Sequence, residues 1–218
     1  MEEGLKQEIT VLEQIALTQD AYYIKLQKPS QAIPGQLVSL SIKSEEPFRH
    51  YSLASGTQDD HWGILYKEVE GGWLTPRLSQ IGAGDTLWVT EPFGEFLLPQ
   101  DNNIIWIGTG TGVAPFRAFI NSTIDKNVTF LHGARSKEDF YFHQDFAAHL
   151  GDNYICCSSL DVHPDYYQGR LTKYITEEFD LIDGTYMICG ATEMVIAVRE
   201  ILLDKGVPFD KILSEIYF

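Results

Sequence analysis

Ile104-Ile105-Trp106-Ile107-Gly108-Thr109-Gly110-Thr111-Gly112-Val113-Ala114-Pro115-Phe116-Arg117 decides how this 218-residue chain is read. Four apolar residues in a row make a strand that can be buried on both faces, and a glycine-rich turn then leads into a helix. Missing side chains let a dinucleotide pyrophosphate approach the backbone, and the N-terminus of the following helix faces its negative charge. A glycine-rich turn alone is weak evidence. The order strand, GTGTG, APF, helix is much narrower, and it differs from the GxGxxG fingerprint.

The pattern persists downstream. Buried-strand runs at residues 104–107, 128–132, 153–157 and 186–189 are each followed by a helical stretch, as a parallel sheet covered on both faces requires. Upstream the period changes. Short apolar runs at residues 8–16, 21–26, 36–42, 61–69 and 86–91 are separated by breaks at Pro29, Pro34-Gly35, Gly71-Gly72 and residues 82–84, which reads as an antiparallel β-barrel. The change falls after Pro99-Gln100-Asp101, so the expected domains are residues 1–99 and 100–218.

A 44% hydrophobic and 22% charged composition gives each half enough apolar material for a core. The net charge of −15 disfavours nucleic acid and anionic membranes, both of which reward clustered Lys and Arg. No apolar run has membrane-spanning length, and Met1-Glu2-Glu3 is acidic where a signal peptide is basic, so the expected location is cytoplasmic. Cys156, Cys157 and Cys189 fall short of the four thiolates of an iron–sulfur cluster and lack metal-type spacing, so no metal is expected.

In the first half, Arg49-His50-Tyr51-Ser52-Leu53-Ala54-Ser55 ends a strand. Arg49 offers a planar fork for a phosphate, and Tyr51, two residues along, shares its face and can lie flat on an aromatic ring. Gly71-Gly72-Trp73-Leu74-Thr75-Pro76-Arg77-Leu78 opens the backbone before a helix at Thr75, where N–H groups and a hydroxyl can bind an anion or simply cap the helix. In the second half, Cys189-Gly190-Ala191-Thr192-Glu193-Met194 follows a buried strand. Taken alone, Cys189 is a small buried hydrophobe. Ser214-Glu215-Ile216-Tyr217-Phe218 places two aromatic rings together, as though they cover something.

These segments together resemble the ferredoxin–NADP reductase superfamily in its bacterial form: RxYSxxS with PGQ upstream, GxLTPRL, GTGTG–APF, CGxxxM and the terminal aromatic pair stand in the family's order from Pro34 to Phe218. The resemblance implies a six-stranded Greek-key flavin barrel followed by a Rossmann-like dinucleotide domain. It implies an enzyme that passes hydride between NAD(P)H and FAD, with FMN the lesser alternative. Arg49, Tyr51, Ser52, Leu74, Thr75, Thr111, Tyr217 and Phe218 would hold the flavin. Gly110, Thr111, Gly112, Arg135, Ser158, Ser159, Arg170, Cys189, Gly190 and Met194 would hold the dinucleotide. Ser52, Cys189, Glu215 and Tyr217 would serve catalysis, with Tyr217 covering the flavin face opposite Tyr51 and moving aside for the nicotinamide.

The nucleotide stays open between NADP and NAD. Ser159 and Asp161 stand where an NADP enzyme wants an Arg, while Arg135 and Arg170 match phosphate-binding positions, and the balance tilts to NADP. The implied acceptor is ferredoxin or flavodoxin, although both are acidic and would need a basic patch drawn from Lys25, Lys28, Lys43, Arg49 and Lys67. Alternatives are an NADH-dependent reductase serving an oxygenase, a cytochrome or free flavin, and a non-enzymatic flavin-holding electron-transfer subunit. A monomer is expected.

Overall fold

In a computed structural model, which describes residues 5–217, the chain divides into two compact units: Met1–Leu98 with Ala114–Thr123, and Pro99–Val113 with Ile124–Phe218. The first contains β1 (Lys6–Ala16), β2 (Ala21–Gln27), β3 (Leu37–Ser41), β4 (Arg49–Ser52), β5 (His61–Lys67), the one-turn helix α1 (Thr75–Leu78), β6 (Thr86–Thr90) and α2 (Ala114–Ile120). Its sheet order, β4-β3-β6-β1-β2-β5, is antiparallel throughout. A bridge between Leu53 and Ile64 and the Ala54 N–H bond to the Gly63 carbonyl, at 2.7 Å, tie the ends of the sheet together. The antiparallel barrel read from the sequence is therefore present and nearly closed.

Alternation along the strands turns Ile9, Val11, Ile24, Leu26, Val38, Leu40, Ile64 and Val89 into the barrel, all almost fully buried. A bulge between Val11 and Glu13 bends β1, the long inner strand that pairs with both β6 and β2. Leu74 and Leu78 plug one side of this core from α1. Helix α2 packs Phe116 and Phe119 completely out of water, and its Arg117 donates to the Ala54 carbonyl at 2.9 Å and the Tyr23 hydroxyl at 3.0 Å. The helix after the glycine-rich turn thus packs with the barrel.

The second unit contains β7 (Asn103–Thr109), β8 (Asn127–Ala134), α3 (His143–Leu150), β9 (Tyr154–Ser158), β10 (Tyr166–Gln168), α4 (Leu171–Glu177), β11 (Thr185–Ala191), α5 (Thr192–Asp204) and β12 (Ile212–Tyr217). All six strands run parallel in the order β10-β9-β8-β7-β11-β12. The expectation of a helix after every strand fails at one place. β9 is followed by the short strand β10, and only then by α4, because residues 159–165 turn tightly enough to return the chain to the sheet edge.

Ile105, Ile107, Leu131, Ile175, Ile188, Val195, Val198 and Leu202 form the core on one face of this sheet. On β8, His132 is wholly buried, stacked on Phe130 with ring centroids 5.1 Å apart and bonded through Nδ1 to the Tyr154 hydroxyl at 2.8 Å. Burial pushes its pKa down to about 3, so it is neutral in the folded protein. Lys205, just past α5, donates to the carbonyls of Ile175 (2.7 Å) and Phe179 (2.9 Å) at the C-terminus of α4, where free carbonyls and the helix dipole favour a cation.

Candidate functional site

In the first unit the candidate residues gather around β4. Arg49 and Tyr51 are two apart on a strand and share a face. Arg49 is exposed, and its Nη1 donates to the Phe48 carbonyl at 3.2 Å. Tyr51 is half-buried against the barrel core, and burial, offset in part by the Arg49 charge, pushes its phenol up to about 12. Its hydroxyl therefore stays protonated, leaving a neutral ring face. Ser52, on the other face, is buried.

The Gly71–Leu78 turn differs from its expected form. Leu74 occupies the N-cap position of α1 without a side-chain cap, and Thr75 Oγ1 instead accepts the Val69 N–H at 2.9 Å. The hydroxyl fastens the preceding loop because Pro76 sets the helix start without it. Gly71 has φ +71°, and a Cβ there would enter open space, so the turn presents bare backbone outward. Arg77 reaches Glu46 with both nitrogens, at 2.8 and 3.1 Å, and lies over the Trp73 ring at 5.0 Å. The bond from Arg77 holds the Glu46 carboxyl below its ordinary range. This fork ties the turn to the loop that feeds Arg49. It had no signal in the sequence, since Glu46 belongs to no motif.

In the second unit the described candidates lie at or just past the carboxyl ends of the parallel strands, and the order reverses direction between β7 and β11. Ligands of open parallel sheets bind at such a switch point. Two backbones meet there. A Cβ on Gly112 would strike the Cys189 carbonyl and lie 2.5 Å from Gly190 Cα, and one on Gly190 (φ +150°) would lie 2.7 Å from Met194 Cε and 2.9 Å from Thr109 Oγ1. Gly110, at φ +55°, faces open space, so this stretch of the turn is bare and approachable, as a pyrophosphate site needs. Thr111 stands half-exposed beside it.

The register of β11 with β12 pairs Cys189 with Glu215 and Ala191 with Tyr217. The Cys189 thiol is buried and points its hydrogen at Glu215 Oε2, 3.9 Å away. Burial and the neighbouring carboxylate push the thiol well above its ordinary pKa. The Cys189 thiol is therefore held in its neutral form. Glu215 and Tyr217 share a strand face, both half-buried, and Thr192 Oγ1 donates to the Tyr217 carbonyl at 3.5 Å. Phe218 lies outside the described residues.

The far side of the edge, at β8 and β9, is a tight turn. Ser158 Oγ donates to the Arg135 carbonyl at 3.0 Å and accepts the Asp161 N–H at 3.1 Å, so its hydroxyl is engaged within the loop. Ser159 N–H bonds the Ala134 carbonyl. Arg135 is exposed, as is Arg170, which starts α4. Asp161 Oδ2 accepts the Lys137 N–H at 2.6 Å. Among the described residues no helix is long and apolar enough to cross a membrane.

A glycine-rich turn at the switch point of a parallel sheet, after an antiparallel barrel in the chain, is an arrangement suited to binding a nucleotide. Residues 106–200 match the oxidoreductase NAD-binding domain family. The fold is that of the ferredoxin–NADP reductases. It superimposes on a ferredoxin NADP+ reductase from Neisseria gonorrhoeae with bound FAD and NADP, TM-score 0.87 at 21% identity, over 99% of this chain and 100% of that one. An Amycolatopsis cytochrome P450 reductase gives TM-score 0.84 at 26% identity, over 98% and 70%. In sequence, the reductase component of propane 2-monooxygenase from Rhodococcus jostii is 28% identical over 202 residues, 84% of this chain and 54% of that protein. The chain thus spans about half the length of such relatives.

Proposed function

We propose that this chain is a flavin-dependent oxidoreductase that takes hydride from NAD(P)H and passes electrons to a one-electron protein acceptor such as ferredoxin or flavodoxin. The observation that carries the reading is the strand-end arrangement of the second unit: bare glycine backbone at Gly110, with the Cys189–Glu215 pair one strand away. A bound flavin supplies the two-electron to one-electron conversion. FAD is the flavin of choice, because Arg49 and the open backbone at Gly71 supply anion-binding elements for more than one phosphate.

The chain's own residues do positional work. Tyr51 offers a flat, neutral ring, Arg49 a phosphate fork, and Ser52 a hydroxyl for the polar edge of the ring system. Gly110, Thr111 and Gly112 bind the pyrophosphate, Cys189 walls the nicotinamide side, and Glu215 accepts a hydrogen bond from its carboxamide. Tyr217 is assigned the role of the aromatic residue that yields its place. The domain limits assigned to these tasks are residues 1–99 for the flavin and 100–218 for the dinucleotide, and the working form is a cytoplasmic monomer.

A second reading has its own support. The relatives named as reductases of a monooxygenase and of a cytochrome P450 make an oxygenase component an alternative destination for the electrons. The −15 charge favours it, since an acidic ferredoxin would be repelled. Reconstitution with FAD and with FMN, followed by anaerobic addition of NADH or NADPH, tests the common core. Bleaching of the flavin absorbance by either nucleotide is expected, and a protein that takes up neither flavin contradicts the reading.

A further inference from the structure

We propose that Asp161 makes the dinucleotide site selective for NADH over NADPH, an inference that rests on the second unit being the dinucleotide domain. A pyrophosphate at Gly110–Gly112 leaves two directions along the strand ends. Toward β11 and β12 stand the buried Cys189 and Glu215, the redox side. The adenosine therefore runs over β8 and β9, whose ends carry Arg135, Ser158, Ser159 and Asp161.

At that end several of the loop's own donors already serve groups of the loop. Ser158 Oγ both donates and accepts within the loop, to the Arg135 carbonyl and from the Asp161 N–H. The backbone N–H of Lys137, which opens a 3-10 turn over Lys137–Asp139, is held by Asp161 Oδ2 at 2.6 Å. A second carboxylate caps the residue before that turn: Asp139 Oδ2 accepts from the Ser136 N–H at 3.1 Å and its Oγ at 3.0 Å. An anion thus already occupies the place a phosphate would seek.

Asp161 is also fixed at two points: its backbone N–H donates to Ser158 Oγ, and its Oδ2 accepts from the Lys137 N–H. A free aspartate could swing away from a dianionic phosphate, whereas this one stays and repels it. Its other oxygen remains for hydroxyl donors, and a ribose with free 2′- and 3′-hydroxyls supplies them, as an acidic residue does for NAD in other dinucleotide folds. Arg135 and Arg170, both exposed, are assigned to the phosphates that the two nucleotides share.

Two variants separate charge from pinning. Asp161→Asn keeps the hydrogen-bonding shape and removes the repulsion. Lys137→Pro removes the pinning N–H, and it is read against Lys137→Met, which removes the same exposed ammonium and keeps the N–H; the position is the first of a turn, where proline is tolerated, and Ser136 at φ −132°, ψ 171° already has the backbone that precedes a proline. The flavin-loaded full chain is reduced anaerobically by each nucleotide, and kcat/KM is compared. The wild type is expected to favour NADH about 10-fold or more, Asp161→Asn to lose about 10-fold of that ratio, and Lys137→Pro to lose a smaller share of it. Equal or better use of NADPH by the wild type, or an unchanged ratio in Asp161→Asn, overturns the inference while leaving the hydride-transfer reading intact.

Reduction by neither nucleotide overturns the hydride-transfer reading instead. Selectivity is then read from calorimetric binding of 5′-AMP against adenosine 2′,5′-bisphosphate to the wild type, which also decides the matter should a variant fail to fold. Tighter binding of 5′-AMP supports the role of Asp161. Tighter binding of the bisphosphate, or binding of neither, overturns it.

Discussion

The chain has two glycine-rich turns of similar appearance, Gly71-Gly72 in the barrel unit and Gly110-Thr111-Gly112 in the parallel-sheet unit, and they use glycine for different reasons. Gly71 is needed for its backbone, with φ +71° and nothing near its missing side chain. Gly112 is needed for space, because the backbone of Cys189-Gly190 lies where a Cβ would be. A turn of the first kind can bend to accept a side chain, while one of the second kind must push neighbouring strands of the sheet apart. The same contrast runs through the two units: hydroxyl and guanidinium tethers hold the barrel's loops, and close backbone packing holds the strand ends of the sheet.

The largest effect expected from this contrast is Gly112→Ala. Backbone atoms cannot move aside cheaply, so the substitution should destabilise the second unit by about 3 kcal/mol or more and abolish nucleotide binding, measured by urea unfolding and calorimetry. Gly71→Ala, at the open turn, should cost only about 1 kcal/mol. Equal losses at the two sites would erase the distinction.

A second difference is the wholly buried His132 of the sheet unit. Its folded pKa of about 3 lies below the unfolded value of 6.5, so the unfolded chain takes up the proton first. The stabilisation is complete above pH 6.5 and is lost as pH falls from there toward 3. Hydrogen exchange in β8 and β9 should accelerate over this window more than in β1 and β2, and His132→Phe should flatten the trend. Parallel acceleration in both sheets would place the acid sensitivity elsewhere.

Lys205→Met removes a cation from the last carbonyls of α4 and should cost about 1–3 kcal/mol. Thr75→Ala, which frees the Val69 N–H in a partly exposed loop, should cost about 1 kcal/mol or less. Melting temperatures of the two variants would rank the tethers.

Much of the architecture was legible because it rests on local pattern. Alternating runs marked five barrel strands, and the continuous run at 104–107 and its successors marked the buried parallel ones. What escaped depends on partners distant in sequence. β10, at Tyr166–Gln168, is too short for any period, and its pairing to Cys156–Ser158 comes from the turn before it. Packing of α2 with the barrel rests on Arg117 reaching Tyr23 and Ala54, residues that no spacing connects to it.

The site shows the same division. Glycines and strand-end residues announced themselves as motifs, but their engagements did not. That Ser158 spends its hydroxyl inside a loop, that Arg77 is held by Glu46, and that Asp161 is fastened to Lys137 are facts of tertiary hydrogen bonding. Cys189 illustrates both sides. Its motif marked it, whereas its neutral state follows only from complete burial beside Glu215.

Single-turnover reduction of the flavin-loaded protein, wild type against Cys189→Ala, tests most directly whether the β11–β12 strand end receives the nicotinamide. The expected result is a fall of about 10-fold or more in the bleaching rate with flavin affinity unchanged, since a displaced ring loses its alignment for transfer. An unaltered rate would contradict the assignment of that strand end to the reaction.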